Sequence, residues 1–156
     1  MRMDERDRKA LEDIEKHGCH VLNVMEGEDQ PCFSYSIGIN KNQNKPELIV
    51  VGLKSTLAHS IINNYCSRLK NGETFTPGNL YADFIEGFEV AFVEVDKKHY
   101  KEYFGWALWL YAGSNFTAYQ LIWPTTQGLW PWSEGKSEFY MWAQPILNES
   151  GEIQKI

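Results

Sequence analysis

The sequence predicts a single α+β domain with a mostly antiparallel sheet packed with helices. Three observations lead there. Strand-like and helix-like segments are interleaved irregularly, not in the regular strand–helix–strand order of a doubly wound parallel sheet. Ser55–Lys70 carries apolar residues at helical spacing, whereas Cys32–Ile39 alternates apolar with small or polar residues at a period of two. The chain has 156 residues, of which 43% are hydrophobic and 23% charged, a size and composition that close one core. The domain is expected to run over residues 1–156, with no internal repeat, low-complexity segment or linker.

Asp4 to His17 reads as a helix. Asp4 is placed to cap it, Asp7 favours its positive end, Ala10, Leu11 and Ile14 form a narrow apolar stripe, and Gly18 stops it. A short strand, Cys19–Met25, follows, then the polar turn Glu26–Asp29. In the strand Cys32–Ile39, Phe33, Tyr35, Ile37 and Ile39 face the core, and Ser34, Ser36 and Gly38 form a small polar face with room for something to lie against it. Asn40–Lys45 reads as an exposed loop. Glu47–Leu53 contains the unbroken run Leu48-Ile49-Val50-Val51, the pattern of a central strand buried on both faces.

Ser55 is the expected cap of the strongest helix, whose buried stripe is read as Leu57, Ile61, Tyr65 and Leu69, with Ala58, Ile62 and Cys66 beside them and Gly72 at its end. Phe75–Asn79 is a turn, Phe88–Val95 a strand, Lys97–Tyr103 a short helix and Thr117–Trp123 a strand closed by Pro124. Ala107–Tyr111 fits helix or strand equally. Ser137–Trp142 reads as a last short helix, and residues 148–156 as a frayed tail.

A net charge of −6 argues against a nucleic-acid binder, which needs a basic face, and suits docking onto a basic partner. Cys19, Cys32 and Cys66 form neither a disulfide framework nor a zinc spacing and read as free thiols in a reducing compartment. The charged start Met1–Arg6 has no apolar core of a secretion signal, and no segment is apolar enough to span a bilayer. A cytoplasmic protein is expected.

Several blocks in order resemble one known family. They are His17-Gly18-Cys19-His20-Val21, Phe33-Ser34-Tyr35-Ser36-Ile37-Gly38-Ile39 and Pro46-Glu47-Leu48-Ile49-Val50-Val51-Gly52-Leu53. Later come Gly105-Trp106-Ala107-Leu108-Trp109-Leu110-Tyr111, Gln120-Leu121-Ile122-Trp123-Pro124 and Gly128-Leu129-Trp130-Pro131-Trp132. Together they resemble the bacterial family called domain of unknown function 4262, over roughly residues 9–147. The resemblance implies no activity. The chain departs from the family pattern at Thr125, where an aspartate is usual, and at Cys19, where an aromatic residue is usual.

Two residues are weak catalytic candidates. His20 adjoins Cys19, yet neighbours on a strand point to opposite faces, so a Cys–His nucleophile is disfavoured and a histidine bonded to a buried carbonyl is expected. Glu47 opens an apolar strand; a salt-bridged strand end is favoured over a buried acid or base. The four histidines and scattered carboxylates give no metal-ligand spacing. Five of the six tryptophans lie between Tyr103 and Trp132, where Pro124, Gly128 and Pro131 restrain a corner. The expected binding residues are Ser34, Tyr35, Ser36, Gln120, Trp123, Trp130 and Trp132: Trp123 pointing inward, and Trp130 or Trp132 lining a cleft with Tyr35 and Gln120.

The reading that follows is a non-catalytic binding protein, with a toxin-neutralising immunity protein facing a basic toxin as its most concrete form. The alternative is a small-ligand, flavin or nucleotide binder or enzyme using the serine face and Trp123/Trp130, and a third reading is a hydrolase using His20 and Glu47. No cofactor is predicted, and the oligomeric state is left open.

Overall fold

The computed structural model describes residues 4–156. The chain folds into strands β1 (His20–Val24), β2 (Phe33–Ile37), β3 (Glu47–Val51), β4 (Leu80–Ile85), β5 (Phe88–Glu94) and β6 (Ala118–Ile122). They form one sheet in the order β1-β2-β3-β6-β5-β4. Each outer trio is an antiparallel meander, and the two meanders meet at the parallel pair β3/β6, where Leu48 lies opposite Tyr119. The α+β, mostly antiparallel architecture is the expected one. As the unbroken apolar run requires, β3 is buried along its whole length at the centre.

Helix α1 (Glu5–His17) begins at a capping box in which the Asp4 and Asp7 side chains each accept the other's backbone N–H at 3.0 Å. It packs on β1 and buries Ala10 and Ile14 on one sheet face with Phe33, Tyr35, Ile37 and Ile49. The same face is covered by α4 (Tyr100–Tyr103) and α5 (Gly105–Leu110), so the undecided segment at Ala107 is helical. The opposite face is covered by α3 (Ser55–Lys70).

The α3 stripe is the expected one except at its first member, Leu57. Ala58, Ile61, Ile62, Tyr65, Cys66 and Leu69 are buried, while Leu57 is 39% exposed. Residues four apart advance by about 40° beyond a full turn, so a row of three such steps drifts around the helix and its first member leaves the buried face. Ser55 is the first helical residue; Lys54 holds the cap position, with no side-chain cap. Ile61, buried between α3 and the sheet, is a direct probe of this packing. Ile61→Ala is expected to cost about 2–5 kcal/mol in denaturant unfolding. A loss below about 1 kcal/mol would contradict the assigned face.

Three other departures have local causes. The expected loop at Asn40 is a short helix, α2 (Ile39–Gln43), entered through Gly38 at φ 102° and left through Asn44 at φ 55°. The strand β4 shows no regular alternation in sequence because Asp83 has φ 69° and the pairing register shifts between Tyr81 and Ile85. The C-terminal tail is ordered against the sheet: Ile146, Ile153 and Ile156 pack with Trp130 on Ala91, Val93 and Ile122. The tail is tied down by the Leu147 N–H, which donates to Gln120, and by the Asp96 N–H, which donates to the Leu147 carbonyl, both at 2.8 Å.

Candidate functional site

Of the predicted site residues, the serines are the furthest from their expected role. Ser34 and Ser36 are buried, and the element lying over their part of the sheet is α3 of the same chain. Their small size admits the helix, and their hydroxyls are satisfied locally: Ser34 donates to Asn23 at 2.6 Å and Ser36 to Glu47 at 2.7 Å. No ligand face remains there.

Glu47 is the most heavily bonded side chain of the interior. It is fully buried and has no cationic partner among the described residues, in place of the expected salt bridge. One carboxylate oxygen accepts from the Ser36 hydroxyl and the Ile39 N–H; the other accepts from the Gly38 N–H, the Asn40 N–H and the Tyr111 hydroxyl. The backbone donors lie at 3.1–3.2 Å and belong to the first turn of α2, so the carboxylate stands where the helix leaves N–H groups unpaired. Burial pushes the Glu47 carboxyl above its ordinary value, while the donors, Tyr111 foremost, oppose that rise. The Tyr111 oxygen in turn accepts from the Gly38 and Lys41 N–H groups, at 3.2 and 3.1 Å. Glu47 thus joins β2, α2 and α5. Both of its oxygens are saturated by donors, leaving none to take a proton from a substrate.

His20 faces the other way from Cys19. Cys19 joins the core under α3, whereas His20 Nδ1 lies 2.8 Å from Asp13 Oδ2, a carboxylate of α1 in place of the expected buried carbonyl. Burial raises the Asp13 carboxyl, but hydrogen bonds from Lys9 and His20 outweigh it and hold the group below its ordinary value. His20 and Glu47 therefore belong to separate networks, with no hydrogen bond between them. All three cysteines are free. The neighbouring Cys66 and burial push the Cys19 thiol up, and the neighbouring Cys19 is the main cause that lowers the Cys66 thiol. Among the described residues no group of three His, Cys, Asp or Glu side chains is placed to hold a metal. No described helix is long and apolar enough to cross a membrane.

The expected cleft of tryptophans with Tyr35 and Gln120 is not formed. Tyr35 is buried under α5, where its hydroxyl accepts from the Trp106 N–H at 3.1 Å. Gln120 is buried and donates to the Pro145 carbonyl at 2.8 Å. Trp123 does point inward: its indole N–H donates to the Val51 carbonyl at 2.8 Å. Trp130 covers the β5/β6 face, and Trp132 stacks on it at 4.9 Å with 6° between the rings.

What the tryptophan corner builds instead is a mount for α6 (Glu138–Ala143), capped by the Ser137 side chain, which accepts the Tyr140 N–H. Tyr140 and Gln144 both donate to the Trp123 carbonyl, at 2.7 and 2.9 Å, and Gln144 accepts from the Trp123 N–H at 2.9 Å. With the inner side pinned, Phe139, Met141 and Trp142 stand outward, Phe139 and Trp142 with ring centres 5.9 Å apart. These three residues were missed in the sequence. The signal was available, because a six-residue helix with four large apolar residues cannot bury them all.

A family model described as a domain of unknown function (DUF4262) matches residues 13–137. No curated protein and no solved structure matches the chain.

Proposed function

Since the chain belongs to the family described as a domain of unknown function (DUF4262), we propose from its geometry that it acts by binding a protein partner, without catalysis, through the outer face of α6. The observation that carries this reading is the exposure of Phe139, Met141 and Trp142, at 71%, 55% and 37%, on a helix whose inner side is fixed. Burial of apolar surface releases about 25 cal/mol per Å², and adjacent large exposed aromatics are the side chains that anchor protein interfaces. The helix begins at Glu138, one residue beyond the matched region, so this face is a feature of the chain outside the matched 13–137 span.

The finer form of the proposal is a cytoplasmic immunity protein of a bacterial competition system that neutralises a basic toxin. Its support is the net charge of −6, which steers a basic partner toward the chain. The test is capture from extract of the source cells on the immobilised protein, beside the double variant Phe139→Ser/Trp142→Ser. A basic protein held by the unsubstituted chain and absent from the variant is expected. Both proteins should melt within about 2 °C of each other, as surface substitutions usually shift stability little. The same set of proteins held by both would contradict the reading.

A further inference from the structure

A cavity separate from the α6 face lies where α1, β1 and α5 meet. Its volume is about 380 Å³, and Glu5, Arg6, Lys9, His20, Leu22 and Trp106 line it. A space of this size takes a one- or two-ring molecule. Leu22 and Trp106 are half-buried and supply an apolar wall with an indole. The polar groups sit with His20 and on the first two turns of α1.

Which of those groups are committed decides the ligand. Asp13 is engaged twice, by His20 at 2.8 Å and by Lys9 at 2.9 Å. Because an ionised carboxylate only accepts, His20 Nδ1 carries the proton in that contact, and the remaining ring nitrogen forms no other hydrogen bond among the described residues. Arg6 is exposed and forms no ion pair among the described residues. Glu5, the carboxylate on the lining, forms no ion pair among the described residues. An indole wall beside an uncommitted guanidinium matches a flat ring carrying a carboxylate. The ring stacks on Trp106 and the carboxylate takes the paired guanidinium donors. Glu5 opposes that charge.

We propose that this cavity is a binding site for a small planar aromatic carboxylate, held by Trp106 on its ring and Arg6 on its charge. The site stands apart from the α6 face and from the buried Glu47 network.

The test is calorimetric titration of the full chain with 2-naphthoate and, in parallel, with the uncharged 2-naphthamide. Saturable one-to-one binding of 2-naphthoate is expected, with 2-naphthamide weaker by about tenfold or more, the loss of a charge-assisted hydrogen bond. Arg6→Gln should weaken 2-naphthoate by a similar factor of about ten, and Trp106→Leu should also weaken it. Glu5→Gln should strengthen it. Phe139→Ser should leave it unchanged, which separates this site from the α6 face. Glu5, Arg6 and Phe139 are exposed, so these variants keep the fold, and circular dichroism verifies it. Three results would each overturn the proposal: no saturable binding by the folded chain up to about 1 mM, an affinity above which a designed contact set is absent; equal affinity for acid and amide; or loss of binding in Phe139→Ser with none in Arg6→Gln.

Discussion

Glu47→Gln is expected to lower the melting temperature by about 6–12 °C, the shift that a loss of about 3 kcal/mol produces in a domain of this size. The substitution keeps the shape of the side chain and changes its charge and its hydrogen bonding. A carboxylate accepts at both oxygens, and here both are used: one by two donors, the other by three. A glutamine amide accepts at one oxygen and turns N–H groups toward the donors around the other. At least two buried donors then lose their acceptor, each at a cost of about 1–3 kcal/mol. The effect should appear in α2 and α5 first, because Gly38, Asn40 and Tyr111 converge on this one group. Tyr111→Phe removes a single donor and should do less. A melting temperature within about 2 °C of the unsubstituted chain would show that Glu47 is not a structural hub.

Gly52→Ala should be comparably severe, for a steric reason. Gly52 follows β3 with φ 89°, a conformation that costs an alanine about 1–2 kcal/mol. An added Cβ would stand 2.2 Å from the Ala143 carbonyl oxygen, 2.9 Å from its carbon and 3.0 Å from the Trp123 ring. The obstacle is the backbone at the end of α6, which cannot rotate away like a side chain. Overpacking of this kind adds about 1–3 kcal/mol, and α6 must shift to accept it. Thermal unfolding together with the near-ultraviolet signal of the aromatic residues checks this. The expected outcome is a lower melting temperature and an altered aromatic spectrum. An unchanged pair of readings would mean that α6 does not rest on the end of β3.

The parts of the fold that could be read in the sequence are those set by local rules. The α1 helix announces itself through Asp4, Asp7 and Gly18, because caps are short-range chemistry. The central position of β3 follows from four consecutive apolar residues. The parts that could not be read depend on what comes to lie opposite. Ser34 and Ser36 look like an open polar face until α3, some twenty residues later, is laid over them. Asp13 and His20 are seven apart on different elements, and only the reversal at Gly18 joins them. Glu47 reads as a strand-end acid. Its donors come from α2, which the Asn- and Lys-rich segment conceals, and from Tyr111, which is sixty-four residues away.

The candidate site divides along the same line. The sequence drew attention to the tryptophan corner, and the structure uses it as support: Trp123 and Trp130 hold the end of the sheet, and the exposed apolar face belongs to the helix mounted on it. Under the proposed binding role, stability and recognition fall in different places: the Glu47 network between β2, α2 and α5 holds the fold, and the outer side of α6 is the surface proposed for a partner.

Hydrogen–deuterium exchange of the full chain, alone and with the protein captured in the extract experiment, tests that division most directly. The account predicts that the partner slows exchange over Trp130–Gln144 and leaves Ser36–Glu47 as it was. Slowed exchange over Ser36–Glu47, with none over Trp130–Gln144, would contradict it.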